Sequence, residues 1–238
     1  MKTRHLFLVI LIFFSLLGCK NSEPQEIQAT LFLDITASNS LVDLDITTKQ
    51  LREVFGMDQN DRNYGVFRAI VLTETHLGEI VQVKLSQMPM HKYNKYTRKA
   101  EIDRFLKKVD SVLAQLKSLE RGKRASSIFI PLNKELSRLS QTNAEAHILV
   151  YSDFFENSEA TLFASEVDFE KFETAPEEMA KRILKTAPLP DQLDRLHMHM
   201  IYNPVLESDL NFLRISSWYQ QLLEARNAHV TINSTLIL

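Results

Sequence analysis

Three oxygen-bearing side chains, spaced two residues apart, follow the first apolar run beyond the N-terminal segment. Residues 31–33 are apolar, Asp34 ends the run, and Thr36 and Ser38 come next. In an extended chain, residues two apart point to the same side, so these side chains can face one ligand. Their oxygens suit hard divalent cations, and Mg²⁺ takes about six oxygen ligands in an octahedron. The pattern therefore predicts a metal site at the end of a strand.

A second carboxylate, that of Asp153, also follows an apolar run, residues 146–151. In an open α/β sheet, ligands bind beyond the carboxyl ends of the strands. If the strands that end near Asp34 and Asp153 are neighbours, both carboxylates share one crevice. Two further hydroxyls, those of Ser126 and Ser127, stand at the start of the helix that is predicted before the later strand.

Strand-like apolar runs alternate with amphipathic segments along the rest of the chain. The short turn around Gly78 predicts that the second and third strands form an antiparallel hairpin. The alternation of the other elements favours parallel strands with helices between them. We expect a doubly wound α/β fold, with a mostly parallel six-stranded sheet, one antiparallel edge strand and helices on both faces. The predicted strands are residues 29–35, 65–75, 79–87, 146–154, 196–204 and 229–238, and the predicted helices include residues 47–55, 97–119, 127–141 and 208–227.

Two local signals predict helix ends. Gly122 stands where the C-terminal cap of the long helix over residues 97–119 belongs. Thr174 and Glu177 have the spacing of a capping box ahead of a further helix.

The N-terminus has the pattern of an export signal. Lys2 and Arg4 precede an apolar run, and the only cysteine of the chain, Cys19, follows it. The letters LLGC at 16–19 resemble the bacterial lipobox, in which the cysteine is acylated, for example with palmitate, and becomes the first mature residue. An ordinary signal peptide with a chance cysteine is the alternative.

The chain is therefore expected to have three parts and to sit in the bacterial cell envelope. Residues 1–18 would be a lipoprotein signal peptide, residues 19–28 a polar tether, and residues 29–238 a single domain, anchored to a membrane through the lipid at its periplasmic or surface face. The formal net charge is −2 and there is no extended basic patch, so we expect no nucleic-acid partner. Only five glycines are present, and neither GxGxxG nor GxxxxGK[ST] occurs, which speaks against a phosphate-cradling loop.

The run from Asp34 to Ser38 resembles the DxSxS signature of von Willebrand factor type A (VWA) domains. In that family the signature belongs to a metal-ion-dependent adhesion site, which a Thr from a later loop and an Asp after the fourth main strand complete. By this resemblance, Ser126 takes the Thr role, with Ser127 as its rival, and Asp153 takes the Asp role. The order of elements over residues 29–238 is also similar to that of the family.

Three positions and one glycine-rich run depart from the family pattern. Thr36 stands for Ser and Ser126 for Thr, and both substitutions keep the hydroxyl. Phe154 stands where the family has Gly, and the Gly-rich run before the fourth ligand is reduced to Gly122. The ligand types are thus retained, while the departures bear on the geometry of the loops.

The resemblance implies binding rather than catalysis. Mg²⁺, or Mn²⁺ or Ca²⁺ in its place, would hold an acidic side chain of a protein partner, and the chain would be neither an enzyme nor a binder of a small-molecule substrate. One alternative is a VWA-like scaffold without metal function. A phosphatase-type hydrolase is a second alternative, but it needs an acid/base Asp where Thr36 stands. A third is a zinc site on His197 and His199, which face one side of a strand but lack an evident third ligand.

Overall fold

The fold is an α/β sandwich built on one six-stranded sheet. The computed structural model describes residues 23–35, 44–72, 80–119, 127–155, 166–202 and 209–237. The strands lie in the order β3-β2-β1-β4-β5-β6, and every neighbouring pair is parallel except β2 and the edge strand β3. The predicted fold class is therefore confirmed. The strands are β1 (Glu26–Asp34), β2 (Tyr64–Leu72), β3 (Ile80–Leu85), β4 (Glu145–Tyr151), β5 (Leu196–Ile201) and β6 (His229–Asn233).

Helices cover both faces of the sheet. Two pack on one face, against an apolar core that draws on β1, β2 and β3 and on the ends of β4 and β5: α1 (Thr48–Val54) and α2 (Lys95–Lys117). Four lie over the other face, where Phe32 of β1 and alternate residues of β4 and β5 are buried: α3 (Phe129–Ser140), α4 (Glu166–Thr174), α5 (Pro176–Thr186) and α6 (Asp209–Glu224). Within the described ranges, no helix is both long enough and apolar enough to cross a membrane.

The N-terminal part of β1 corrects one predicted boundary. The strand begins at Glu26, inside the range predicted as a tether, and Ile27 and Gln28 are already buried. The reason is pairing on both sides, because Ile27 lies opposite Gly65 of β2 and Glu145 of β4. Residues 1–22, with Cys19 and the predicted signal peptide, lie outside the described residues.

Both predicted helix-end signals are wrong. The long helix α2 ends at Lys117, and Ser118 is its C-cap, because the buried stripe stops at Leu116. Thr174 is the last residue of α4 and its hydroxyl donates to the backbone oxygen of Glu170, so it cannot cap α5. Helix α5 begins instead at Pro176, whose fixed φ and missing N–H suit a first helical position.

Candidate functional site

The pairing of β1 with β4 brings Asp34 and Asp153 to the same edge of the sheet. Leu33 lies opposite Tyr151 in the parallel register, so the next residue along each chain is Asp34 on one side and Ser152 on the other. Asp153 follows directly. The condition set by the sequence, that the two strands be neighbours, is met, and the carboxyl group of Asp34 lies close enough to influence the ionisation of Asp153.

Ser152 joins the two strand ends. Its hydroxyl donates to Oδ2 of Asp34 at 2.7 Å, and its Oγ accepts the backbone N–H of Phe154 at 2.9 Å. Both Asp34 and Ser152 are fully buried. Ser152 therefore orients the Asp34 carboxylate and shapes the turn that carries Asp153. Sequence reasoning assigned it no role, although its place between a buried strand and Asp153 was a visible signal.

Phe154 has a backbone conformation that glycine adopts more easily. Its φ is 60°, in the left-handed region that costs a residue with a side chain about 1–2 kcal/mol. The ring is completely buried, and its centroid lies 5.3 Å from that of Tyr219 and 6.1 Å from that of Phe212, both on α6. Packing of the ring, together with the hydrogen bond to Ser152, holds the strained backbone in place.

The carboxyl group of Asp153 is hard to ionise in this setting. Burial is the main cause that raises its pKa, to about 6, and the negative charge of Asp34 adds to the effect. The backbone N–H of Phe155 donates to Oδ1 of Asp153 at 3.0 Å and acts in the opposite direction. Among the described residues, no lysine, arginine or histidine forms an ion pair with Asp153. This edge of the sheet thus holds two acidic side chains, those of Asp34 and Asp153.

Of the hydroxyl ligands that the sequence suggests, only the rival Ser127 falls within the described residues. Thr36, Ser38 and Ser126 lie outside them, as does Cys19, the predicted lipidation residue. Ser127 is buried just before α3. Phe129, in the first turn of α3, packs on Tyr219 as Phe154 does. The start of α3 therefore lies near the turn that carries Asp153.

Asp45 is a further acidic residue tied to the same strand end. Its Oδ1 accepts the hydroxyl of Tyr151, the last residue of β4, at 3.0 Å. Burial and the charge of Asp45 raise the pKa of the Tyr151 hydroxyl, so it stays protonated and remains a donor. The bond fixes the segment that leads into α1 against β4, one residue before Ser152.

The described part of the chain contains no preformed zinc site. His197 and His199 do lie on one side of β5, but Nε2 of His197 contacts Glu145 and Nδ1 of His199 contacts Thr231. Within the described ranges, no three His, Cys, Asp or Glu side chains are grouped so that they could hold a metal ion. The candidate site at Asp34 and Asp153 differs in kind, since its described part brings together two carboxylates and the hydroxyl of Ser152.

Comparison with known proteins does not assign the chain to a family. No protein-family model matches the chain, and no curated protein matches it.

Proposed function

We propose that this chain is a lipid-anchored protein of the bacterial cell envelope whose VWA-like domain binds a divalent metal, with Mg²⁺ as the first choice, and uses it to hold a protein partner. The observation that carries the proposal is the meeting of Asp34 with the Ser152–Asp153 turn where β1 and β4 end. Two carboxylates from distant parts of the sequence converge there, at the edge where open α/β sheets bind ligands.

The charge at this edge favours a cation. The pKa of Asp153 is raised by burial and by Asp34, so the ionised pair is unfavourable without a positive partner. A divalent cation between the two groups would reverse that effect, because it attracts both carboxylates and favours their ionised forms. Two carboxylates match the charge of Mg²⁺, and their oxygens are the ligand type that it prefers.

The hydroxyl groups supply the remaining protein ligands in this proposal. Thr36 and Ser38 would bind from the segment after β1, and Ser126, with Ser127 as its rival, from the segment before α3. Such a set, partly acting through water, leaves one place of the octahedron open. An Asp or Glu of a partner protein would fill that place and gain a strong contact in a half-buried crevice.

A VWA-like scaffold without metal function is the second candidate, and one observation favours it. Oδ2 of Asp34 already accepts the hydrogen bond from Ser152, and a buried carboxylate with such a donor does not require a metal. In that case the domain would bind its partner through another surface. A hydrolase mechanism gains no support, because Thr36 stands where the acid/base Asp would be needed.

Metal-dependent capture tests the proposal. The purified full-length chain, held in detergent on beads, would be exposed to envelope extract in Mg²⁺, in EDTA, and in EDTA followed by excess Mg²⁺. We expect a partner that is retained, lost and regained in that order, and that Asp153→Asn fails to retain. Capture that is equal in all three conditions would favour the scaffold reading. Asp103→Asn is the matched control, since Asp103 is exposed on α2, on another part of the surface.

A further inference from the structure

Four histidines from three neighbouring strands gather on one face of the sheet. His147 of β4 lies opposite His197 of β5, which lies opposite His229 of β6. The ring centroids of these pairs are 4.9 Å and 5.0 Å apart, and the rings are stacked. His199, two residues further along β5, stacks on His147 with centroids 5.8 Å apart and an angle of 4° between the planes. We call these residues the histidine cluster.

The histidine cluster occupies the first part of β4, β5 and β6, on the face that carries apolar core residues further along β4 and β5. Further along the same face, Leu149 and Tyr151 of β4 and Ile201 of β5 are buried in the core that α1 and α2 cover. The histidines precede these residues on the same strands. His199 is buried, His147 is partly buried, and His229 is exposed. The cluster thus extends from the core to the surface at the β6 edge.

The two inner rings, those of His147 and His199, each have a nitrogen without a hydrogen-bond partner in the described chain. His197 is paired with Glu145 at 2.5 Å, and Nδ1 of His199 lies 3.0 Å from the hydroxyl of Thr231. Nδ1 of His147 and Nε2 of His199 are buried without a partner in the described chain. Unpaired buried ring nitrogens are costly, and a proton added to either ring would be costlier still.

Three glutamates lie near the inner rings. Glu145, on the strand of His147, contacts the outer ring of His197. Glu23, before β1, and Glu53, on α1, line the same cavity of about 460 Å³ as His147. From β6 the neighbours are His229 and Thr231. No ion pair is formed by His147 or His199 within the described residues, so the main electrostatic neighbours of each inner ring are the other imidazoles.

We propose that the histidine cluster is an acid-sensitive switch in the fold, in which protonation of His147 and His199 opens β5 and β6 away from β4 while the β1–β3 half of the sheet stays closed. The two rings stack across the boundary between β4 and β5, so positive charge on both drives these strands apart. Among the residues that the structure describes, no ion pair of the cluster reaches β2 or β3.

The pKa values of the two inner rings imply that protonation favours the open form. Burial and the neighbouring histidines lower the pKa of His147 to about 3 and that of His199 to about 4. In an opened sheet, both rings would return to a pKa of about 6.5. The open form then binds more protons than the closed form below pH 6.5, and closure is lost as the pH falls towards 4. Between pH 7.5 and pH 5, protonation of each ring raises the equilibrium constant for opening by about 30-fold.

Hydrogen exchange of the full-length protein at pH 7.5 and pH 5.0, corrected for intrinsic exchange rates, tests the switch. The amides of β5 and β6 should open at least about 100-fold more often at pH 5.0, and those of β2 far less. His147→Phe and His199→Phe keep an aromatic ring but cannot be protonated. Each substitution should therefore reduce the increase in opening between pH 7.5 and pH 5.0 by about 30-fold. His91→Gln is the control, because His91 is exposed in the short turn after β3.

A second measurement uses only the wild-type protein and therefore does not depend on the folding of a variant. Imidazole NMR signals of the wild-type protein should show His147 and His199 still neutral at pH 5.5. Ordinary titration of His147 and His199 in the folded protein would overturn the proposal. So would equal acid-induced opening of β2 and β5.

Discussion

The hydroxyl of Ser152 donates to Oδ2 of Asp34 at 2.7 Å, across the boundary between β4 and β1. Both side chains are buried, and the bond joins residues 118 positions apart in the chain. It therefore sets the position of the first carboxylate relative to the turn that carries the second. The candidate metal site depends on this link as much as on the carboxylates themselves.

Ser152→Ala should loosen the candidate site. The substitution removes the donor to Asp34 and the acceptor for the N–H of Phe154, so we expect a loss of about 1–3 kcal/mol in the free energy of unfolding. Affinity for Mg²⁺ should fall as well, because the Asp34 carboxylate loses its orientation. Urea denaturation and metal titration measure the two effects. Ser140→Ala, at the exposed end of α3, is the control, and a variant as stable as this control would contradict the role given to Ser152.

Asp153→Asn should stabilise the metal-free protein at neutral pH. The pKa of Asp153 is raised to about 6 in the fold from an ordinary value of 3.8, so its contribution to stability is present below pH 3.8 and lost as the pH rises through 6. At pH 7.5 in EDTA, the ionised group costs roughly 1–3 kcal/mol, which the amide avoids. Unfolding by urea across pH 4–8 checks this. The gain of the variant should disappear near pH 4, and a gain that does not change with pH would rule out ionisation as its cause.

Phe154→Gly should destabilise the protein even though it relieves backbone strain. Glycine tolerates the φ of 60°, which returns about 1 kcal/mol, but removing the buried ring costs about 3–5 kcal/mol. We expect a net loss of about 2–4 kcal/mol in thermal or urea unfolding. Asn227→Gly is a matched control, because Asn227 has a φ of 66° and an exposed side chain, so that glycine there should be neutral or slightly stabilising. If Phe154→Gly behaved like this control, packing would not be what holds the turn.

Cys19→Ser should release the protein from membranes. The cysteine is the predicted acylation site, and Ser cannot accept the thioether-linked lipid of a lipoprotein. Fractionation of cells that express each form should show the wild-type chain with the membranes and the variant in the soluble fraction. A variant that stays with the membranes after a high-salt wash would contradict the lipid anchor.

The sheet was predictable because its determinants are local, whereas the contacts within it were not. Apolar runs predicted all six strands, but the sequence placed Asp34 and Asp153 at one edge only on the condition that their strands are neighbours, which the strand order meets. The link between Ser152 and Asp34 depends on the register of β1 against β4, which no single segment encodes. The same holds for His147 and His229, which become neighbours of His197 only through pairing between strands. Two predicted ends were wrong for different reasons: at Glu26, pairing with β2 extends the strand, and at Thr174, the hydroxyl bonds within its own helix instead of capping the next one.

Titration calorimetry with Mg²⁺, on the wild-type chain and on Asp34→Asn, tests the central claim most directly. Asn keeps the shape of the side chain but removes the charge, and Asp103→Asn on the exposed face of α2 controls for a general loss of negative charge. We predict one Mg²⁺ per chain for the wild type and the control, with binding reduced at least about 100-fold in Asp34→Asn. Binding of Mg²⁺ by the folded Asp34→Asn variant with unchanged affinity, or no binding by the wild type, would contradict the account.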